Sequence, residues 1–225
     1  MRESLDRLQT ELELIYGNRF ENSEVYRNKV WQTLVEGWFQ RHIPADGSIL
    51  DLGCGYGQFI NNVVCARKYG MDLNPVSRTK LHPDVVFLEQ DCATTWNLPA
   101  NSLDVVFSSN FFEHLHSKAD LSQIAREAMR CLKKGGRIIA MGPNIRYVGG
   151  AYWDFFDHYL PLTEISLREC FEIAGFQTQY MLDRFLPYSM VNVSRYPMFF
   201  LRLYLRIPLL WKMLGQQFFV IVAKP

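Results

Sequence analysis

No two cysteines of this chain form a CxxC pair, neither sign of charge dominates, and no uncharged apolar run approaches the roughly 18 residues of a membrane span. Each absence removes a class. The five cysteines (Cys54, Cys65, Cys92, Cys131 and Cys170) are odd in number and scattered, so neither a zinc site nor a disulfide framework is indicated. They read as small buried hydrophobes in a reducing compartment. With 24 basic and 23 acidic residues the formal net charge is +1, which excludes a general phosphate-tracking surface, so no nucleic-acid partner is expected. The opening MRESLDRLQTELELIYG has no apolar signal-peptide core, and the expectation is a cytoplasmic protein. A GxxxxGK[ST] phosphate loop is missing altogether.

What is present fills one sizeable α/β domain: 225 residues, 48% hydrophobic, with aromatics at 14% and concentrated in the last third. Leu5, Leu8, Leu12 and Ile15 recur at helical spacing over residues 4–16. Residues 23–42 read as a second amphipathic helix with Val30, Trp31, Leu34 and Trp38, closed by Pro44 and Gly47. From Ser48 the pattern changes to short apolar runs at 48–53, 68–74, 85–91, 103–110 and 137–144. Helical candidates lie between them at 56–66, 76–81 and 119–133. That alternation predicts right-handed βαβ units on a parallel sheet. Lys133-Lys134-Gly135-Gly136 is expected to stop a helix and feed the fifth strand. Ser166–Glu169 reads as a capping box, Gly175 as a helix stop, and 176–182 with 216–223 as two final antiparallel strands.

The stretch ILDLGCGYGQF holds three glycines in five positions behind a strand. The dinucleotide fingerprint GxGxxG fails, because the sixth position counted from Gly53 is Gln58, and an NAD-dependent oxidoreductase fails with it. What stands there is Asp51-Leu-Gly53-Cys-Gly55-Tyr-Gly57. It resembles the first motif of the class I S-adenosylmethionine-dependent methyltransferases. Such a turn lets main-chain groups approach a ligand with no Cβ in the way. The resemblance implies a Rossmann-like, seven-stranded, mostly parallel sheet with helices on both faces, and S-adenosylmethionine as cofactor. It also implies that Asp51, Gly53, Gly55 and Gly57 pass under the methionine and ribose. Asp72 would accept from ribose hydroxyls, Asp91 and Cys92 would address the adenine, and Asn110 would meet the cofactor's amino group.

The acceptor is read less directly. No Asn/Asp-Pro-Pro-aromatic motif marks a DNA amino-methyltransferase, and no Pro-Cys pair supplies a cytosine-C5 nucleophile. The paired-glutamate loop of protein arginine methyltransferases has no match either. A small-molecule, saccharide or lipid-like acceptor remains, methylated at oxygen or, as second choice, nitrogen. An oxygen acceptor needs a base. The candidates come from Asn110-Phe-Phe-Glu113-His114-Leu-His116 and from Trp153-Asp154-Phe-Phe-Asp157-His158-Tyr159. His158 leads, His114 follows, and Asp154 would orient His158 at i, i+4 if that stretch is helical. No fitting ligand set for a metal is seen.

Residues 1–45 are thus expected as a helical cap, 46–182 as the cofactor-binding core, 183–215 as an apolar helical insert and 216–225 as the last strand, one domain in all. Between Met198 and Leu214 only Arg202, Arg206 and Lys212 interrupt apolar and aromatic residues, with Pro208 starting a second short helix. A helix this apolar buries itself against the domain, a twin subunit or a membrane surface; the expectation is that residues 198–214 wall the acceptor pocket or form a homodimer contact, with peripheral membrane docking the lesser alternative. The competing hypothesis is a non-catalytic, methyltransferase-like partner subunit, against which the full set of strand-end acids argues.

Overall fold

The computed structural model describes residues 24–188 and 196–225, so the expected helix at 4–16 lies outside the described residues. Helix α1 (Glu24–Gly37) is followed by a 3-10 turn, Phe39–His42. The core then runs β1 (Ser48–Leu52), β2 (Arg67–Asp72), α2 (Ser77–Lys80), β3 (Val85–Glu89), β4 (Leu103–Ser109), α3 (Lys118–Cys131) and β5 (Leu132–Pro143). It continues through α4 (Ile145–Val148), α5 (Glu164–Ile173), β6 (Gln177–Leu182), α6 (Met198–Arg206), α7 (Pro208–Leu214) and β7 (Gln217–Ala223). The seven strands form one sheet in the order β3-β2-β1-β4-β5-β7-β6. Every pair is parallel except β5–β7 and β6–β7, which are antiparallel as the sequence suggested. The chain reverses direction across the sheet at β1, and the crevice between β1 and β4 is where such sheets bind ligands.

Alternation along the strands feeds two cores. Leu50, Leu52, Val106, Ile138, Ala140, Val220 and Val222 face one side, under α3 and α5. Ile49, Val105, Phe107, Ile139, Phe219 and Ile221 face the other, under α1, α6 and α7. Five consecutive buried residues in β1 show a strand covered on both faces, which is why its sequence reads as a near-continuous apolar run.

Several local expectations are corrected. Residues 56–66 form a series of turns rather than a helix. Their main-chain bonds mix spans of three (Asn62 N to Phe59 O) and four (Asn61 N to Gly57 O). The asparagine side chains bond elsewhere: Asn61 Nδ2 donates to Lys80 O and Asn62 Nδ2 to Gln58 O, the competition that disfavours Asn inside helices. Phe59 still anchors the segment by stacking on Phe107 at 3.5 Å between ring centroids. The 76–81 helix shrinks to one turn. Lys133–Gly136 lies inside β5 as an irregularity, with Gly135 at φ 76 and pairing that jumps from Leu103–Leu132 to Val105–Arg137. The capping box sits three residues earlier than expected: Thr163 and Ser166 exchange bonds, so α5 begins at Glu164. Gly175, at φ 97, is the expected stop.

Candidate active site

The glycine turn is built by left-handed backbone. Gly53, Gly55 and Gly57 have φ of 66°, 51° and 74°, values that side-chain-bearing residues rarely adopt. Gly53 N–H and Cys54 N–H both donate to Met71 O at the end of β2, at 2.9 and 3.1 Å. Gly55 N–H donates to Asp72 Oδ2 at 2.8 Å. Asp72 Oδ1 accepts from Asn74 N–H at 2.8 Å, so the carboxylate that closes β2 is aimed by the turn it faces. A Cβ at Gly53 would collide with the ring of Phe111, which lies over the turn from the far side of the crevice.

Electrostatically this lip is unbalanced. Asp51 is buried, and burial followed by the neighbouring charge of Asp72 holds its carboxyl well above the usual carboxylate range. Asp72 is also raised, because burial outweighs the main-chain N–H groups of Asn74 and Gly55. Asn110, at the end of β4 with φ 49, donates from Nδ2 to Ser109 Oγ, while its buried Oδ1 has no hydrogen-bond partner among the described residues. The buried carboxylates of Asp51 and Asp72 and the Asn110 oxygen form a lip rich in acceptors, although each Asp72 oxygen already takes one main-chain N–H. An ammonium and a pair of hydroxyls supply matching donors, so the residues present fit the amino-acid and ribose ends of S-adenosylmethionine.

The adenine-side expectations stand at the end of β3 with a more ordinary look. Asp91 is exposed and its Oδ1 accepts from Ala93 N–H at 2.8 Å, a local turn bond. Cys92 is buried, its thiol pushed up by burial, and its carbonyl accepts from Trp96 Nε1–H at 2.8 Å.

The two segments that offered bases come together. Tyr159 N–H and Leu160 N–H donate to Glu113 O at 2.8 and 3.0 Å, stapling the 155–160 loop to the 3-10 turn Phe112–His114. The His114 and His158 rings lie 5.0 Å apart between centroids, nearly perpendicular. His158 is buried between Phe155, stacked at 4.9 Å, and Tyr152 at 4.7 Å. The i, i+4 pair of Asp154 and His158 does not form, because the 3-10 helix Gly149–Asp154 ends at Asp154, which is exposed. The carboxylate that orients an imidazole is Asp157, and the imidazole is His114. Its Nδ1 meets Asp157 O at 2.9 Å and Asp157 Oδ2 at 3.2 Å. Burial alone would lower the pKa of His114, but Asp157 and the charge of Glu113 outweigh it and the net direction is upward. The charge of His114 also acts on Asp72, which joins this cluster to the cofactor lip.

Glu113 was missed as a site residue. It is 3% exposed, burial pushes its carboxyl up to about 7, and its Oε1 has no hydrogen-bond partner among the described residues. Its signal in the sequence is a charge inside the apolar run Phe111-Phe112-Glu113-His114-Leu115, where only a specific job retains one. Although no metal set was legible in the sequence, Glu113, His114 and His158 each offer a ligand atom within 4.8 Å of the others. By contrast, a groove of 610 Å³ between α1 and α6–α7, lined by Trp38, Arg41, Arg202, Arg206 and Trp211 among others, holds none of the strand-end residues. Chemistry, not volume, locates the site.

Residues 50–140 match the family model described as a methyltransferase domain. An uncharacterized protein of Methanocaldococcus jannaschii is 30% identical over 155 residues, 66% of this chain, and the chain spans 63% of that curated relative's length. Among solved structures, an S-adenosylmethionine-dependent methyltransferase from Archaeoglobus fulgidus superposes with a TM-score of 0.67 at 19% identity, covering 91% of this chain and 99% of that one. The partner of the Trm112 methyltransferase activator in a Haloferax volcanii complex does so with 0.67 at 15%, covering 92% and 95%.

Proposed function

We propose that this chain, whose residues 50–140 match the model of a methyltransferase domain and whose sheet has the class I methyltransferase fold, binds S-adenosylmethionine and moves its sulfonium methyl group to an oxygen of a small-molecule, saccharide or lipid-like acceptor, nitrogen being the second choice. The observation that carries the reading is the acceptor-rich lip. Asp51 and Asn110 Oδ1 take the methionine ammonium, Asp72 the ribose hydroxyls, Asp91 and the Cys92 main chain the adenine, and the three glycines let the backbone come close.

Methyl transfer is an in-line displacement: the acceptor–methyl bond forms as the sulfur–methyl bond breaks, and the electron pair stays on sulfur. The protein's share is alignment and exclusion of water. The acceptor sits on the far side of the methyl, against Glu113, His114 and His158, where Tyr152 and Phe155 wall off solvent around the imidazole. Activation of a hydroxyl acceptor falls to this cluster. As bare side chains, His158 is the base and Asp157 fixes His114 beside it.

Calorimetry tests the cofactor half: S-adenosylhomocysteine should bind with micromolar strength and NAD should not. Tight NAD binding with no response to the sulfonium cofactor or its product would overturn the reading.

The insert supports the lipid-like end of the acceptor range. Phe199, Phe200, Leu209 and Met213 are all more than half exposed, while Arg202, Arg206 and Lys212 lie among them and no acid occurs between Arg184 and Gly215. Apolar side chains with cations of one sign suit the surface of an anionic membrane better than a second copy of the same basic face. The insert therefore docks the chain on such a surface. No described helix is long and apolar enough to cross a membrane.

A further inference from the structure

Glu113 poses a question that an acid–base role leaves open. Its carboxylate is inside the protein, Oε1 accepts no hydrogen bond from the described residues, and the charges acting on it are those of His114 and Asp157, one of each sign. A lone carboxylate in such a place is costly unless a cation sits beside it. Around it the donor set is already arranged. His114 presents Nδ1–H to Asp157, through both the main-chain oxygen at 2.9 Å and the carboxylate at 3.2 Å, which leaves the Nε2 lone pair. That is the outer-shell geometry by which proteins fix the tautomer of a metal-binding imidazole. His158 contributes a second imidazole, held by ring packing on Phe155 and Tyr152. One ligand atom from each of the three residues lies within 4.8 Å of the others. The buried Tyr152 hydroxyl, which has no hydrogen-bond partner among the described residues, lies where the charge of Glu113 acts on it.

We infer that Glu113, His114 and His158 bind a divalent cation of the zinc class, with a fourth position open toward the acceptor. Two imidazoles and one carboxylate suit zinc, cobalt or iron(II), whereas magnesium and calcium ask for oxygen ligands throughout. Three protein ligands with one position open is the arrangement of a reacting site, not of a structural one. The inference rests on methyl transfer at this pocket and changes the part the imidazoles play there, from proton acceptor to ligand. An ion held there would act as a Lewis acid, making an acceptor hydroxyl acidic enough to lose its proton to water as it enters, before the pocket is closed to solvent. The acceptor oxygen then forms the bond to methyl as the sulfur–methyl bond breaks, leaving a methyl ether and a neutral thioether. The ion thereby selects acceptors that present an oxygen able to reach it, such as a sugar or phenolic hydroxyl.

The test uses the full chain stripped with a chelator and then titrated with cobalt(II) and with zinc. Cobalt should produce visible d–d absorption of a four-coordinate nitrogen–oxygen site at one equivalent, and zinc should displace it. Glu113→Gln and His158→Asn should each weaken zinc binding about 10–100-fold while S-adenosylhomocysteine still binds by calorimetry, and Asp157→Asn should weaken zinc through the His114 it holds. If a variant fails to fold, the wild-type titration still decides. Stripped wild-type protein that binds S-adenosylhomocysteine but neither metal overturns the site and leaves the methyltransferase reading standing. Zinc held equally well by both ligand variants also overturns it. Loss of S-adenosylhomocysteine binding in metal-loaded protein strikes instead at the reading on which the site rests.

Discussion

The crevice at the strand ends and the α6–α7 insert break the burial rule in opposite directions. At the crevice, Asp51, Asp72 and Glu113 are carboxylates placed inside, each with its protonation shifted upward by burial. On the insert, Phe199, Phe200, Leu209 and Met213 are large apolar side chains left outside. Both arrangements oppose folding, and each would be relieved under the proposed function, by a cation-bearing cofactor in one case and an apolar surface in the other. Single apolar side chains are exposed elsewhere too, Ile173 and Val25 among them, and Glu164 is buried, but the insert gathers four such side chains beside cations and the crevice gathers three raised carboxyls. The contrast teaches that it is the clustering of misplaced groups, not one of them alone, that singles out a region.

The largest effects should separate chemistry from folding. His158→Ala should lower turnover roughly 10²–10⁴-fold and leave S-adenosylhomocysteine affinity within a few-fold of wild type. If His114→Ala abolishes activity while His158→Ala does not, the leading role moves to His114. Within the insert, Trp211 is the member that obeys the burial rule: it is 4% exposed, meets Trp38 edge-on at 4.9 Å, and donates from Nε1 to Tyr204 O at 2.8 Å. Trp211→Ala should destabilise the protein by about 3–5 kcal/mol, measured by urea unfolding, with no direct effect on the crevice. A loss below about 1 kcal/mol would show that the insert is not packed on the domain as described.

Cofactor binding sharpens the other side of the comparison. Asp72→Ala should weaken S-adenosylhomocysteine by about 1–3 kcal/mol in calorimetry, the usual range for hydrogen bonds to a charged group. Asp51→Asn should weaken the cofactor too, yet stabilise the protein in its absence. The folded state holds the proton of Asp51 more tightly than the unfolded chain does, so this group's contribution is favourable at low pH. It is lost as pH rises from the usual carboxylate range through the raised value. The variant removes that loss. Its gain in Tm should therefore grow with pH over this window, by roughly 2–4 °C for each kcal/mol relieved. Equal Tm for both proteins at every pH would mean that Asp51 carries no strain.

The parallel core, the antiparallel final pair and the glycine turn were legible because they rest on local signals: apolar runs of strand length, acids at the ends of the first three strands, and glycines where φ must be positive. The cluster of Glu113, His114 and His158 was legible only in pieces. Glu113–His114 and His158 stand far apart in sequence, and the staple from Tyr159 and Leu160 to Glu113 O that unites them is main-chain bonding no side-chain pattern announces. The Asp154–His158 pairing was inferred from helical spacing, but the helix stops too soon and the next carboxylate, Asp157, turns to His114. The 56–66 helix failed for a related reason. Its apolar residues have helical spacing, yet Asn61 and Asn62 find better partners outside it, including Lys80 O and the His82 N–H that donates to Asn61 Oδ1. For the insert, the sequence conveyed how apolar the segment is but not which residues face out. Trp211, an obvious target for a charge substitution, turns out to be a core residue.

The smallest expected effect on the protein itself, and the one that decides what the insert is for, belongs to Leu203 and Phe199. Both are exposed on α6, so Phe199→Glu and Leu203→Glu should change stability by no more than about 0.5 kcal/mol. They place an acid among Arg202, Arg206 and Lys212, which should cancel attraction to an anionic surface worth about 1 kcal/mol per basic residue. Wild-type protein should co-sediment with vesicles of phosphatidylcholine and phosphatidylglycerol, less so as salt is raised, and the double variant should stay in the supernatant. Cofactor binding, which happens at the opposite kind of fault, should be the same in both. Should the wild type ignore vesicles and run as a dimer in light scattering that the double variant splits, the apolar face belongs to a second copy. Should neither assay distinguish the proteins, exposed apolar surface here carries no docking role, and the parallel between the two regions fails on the insert's side.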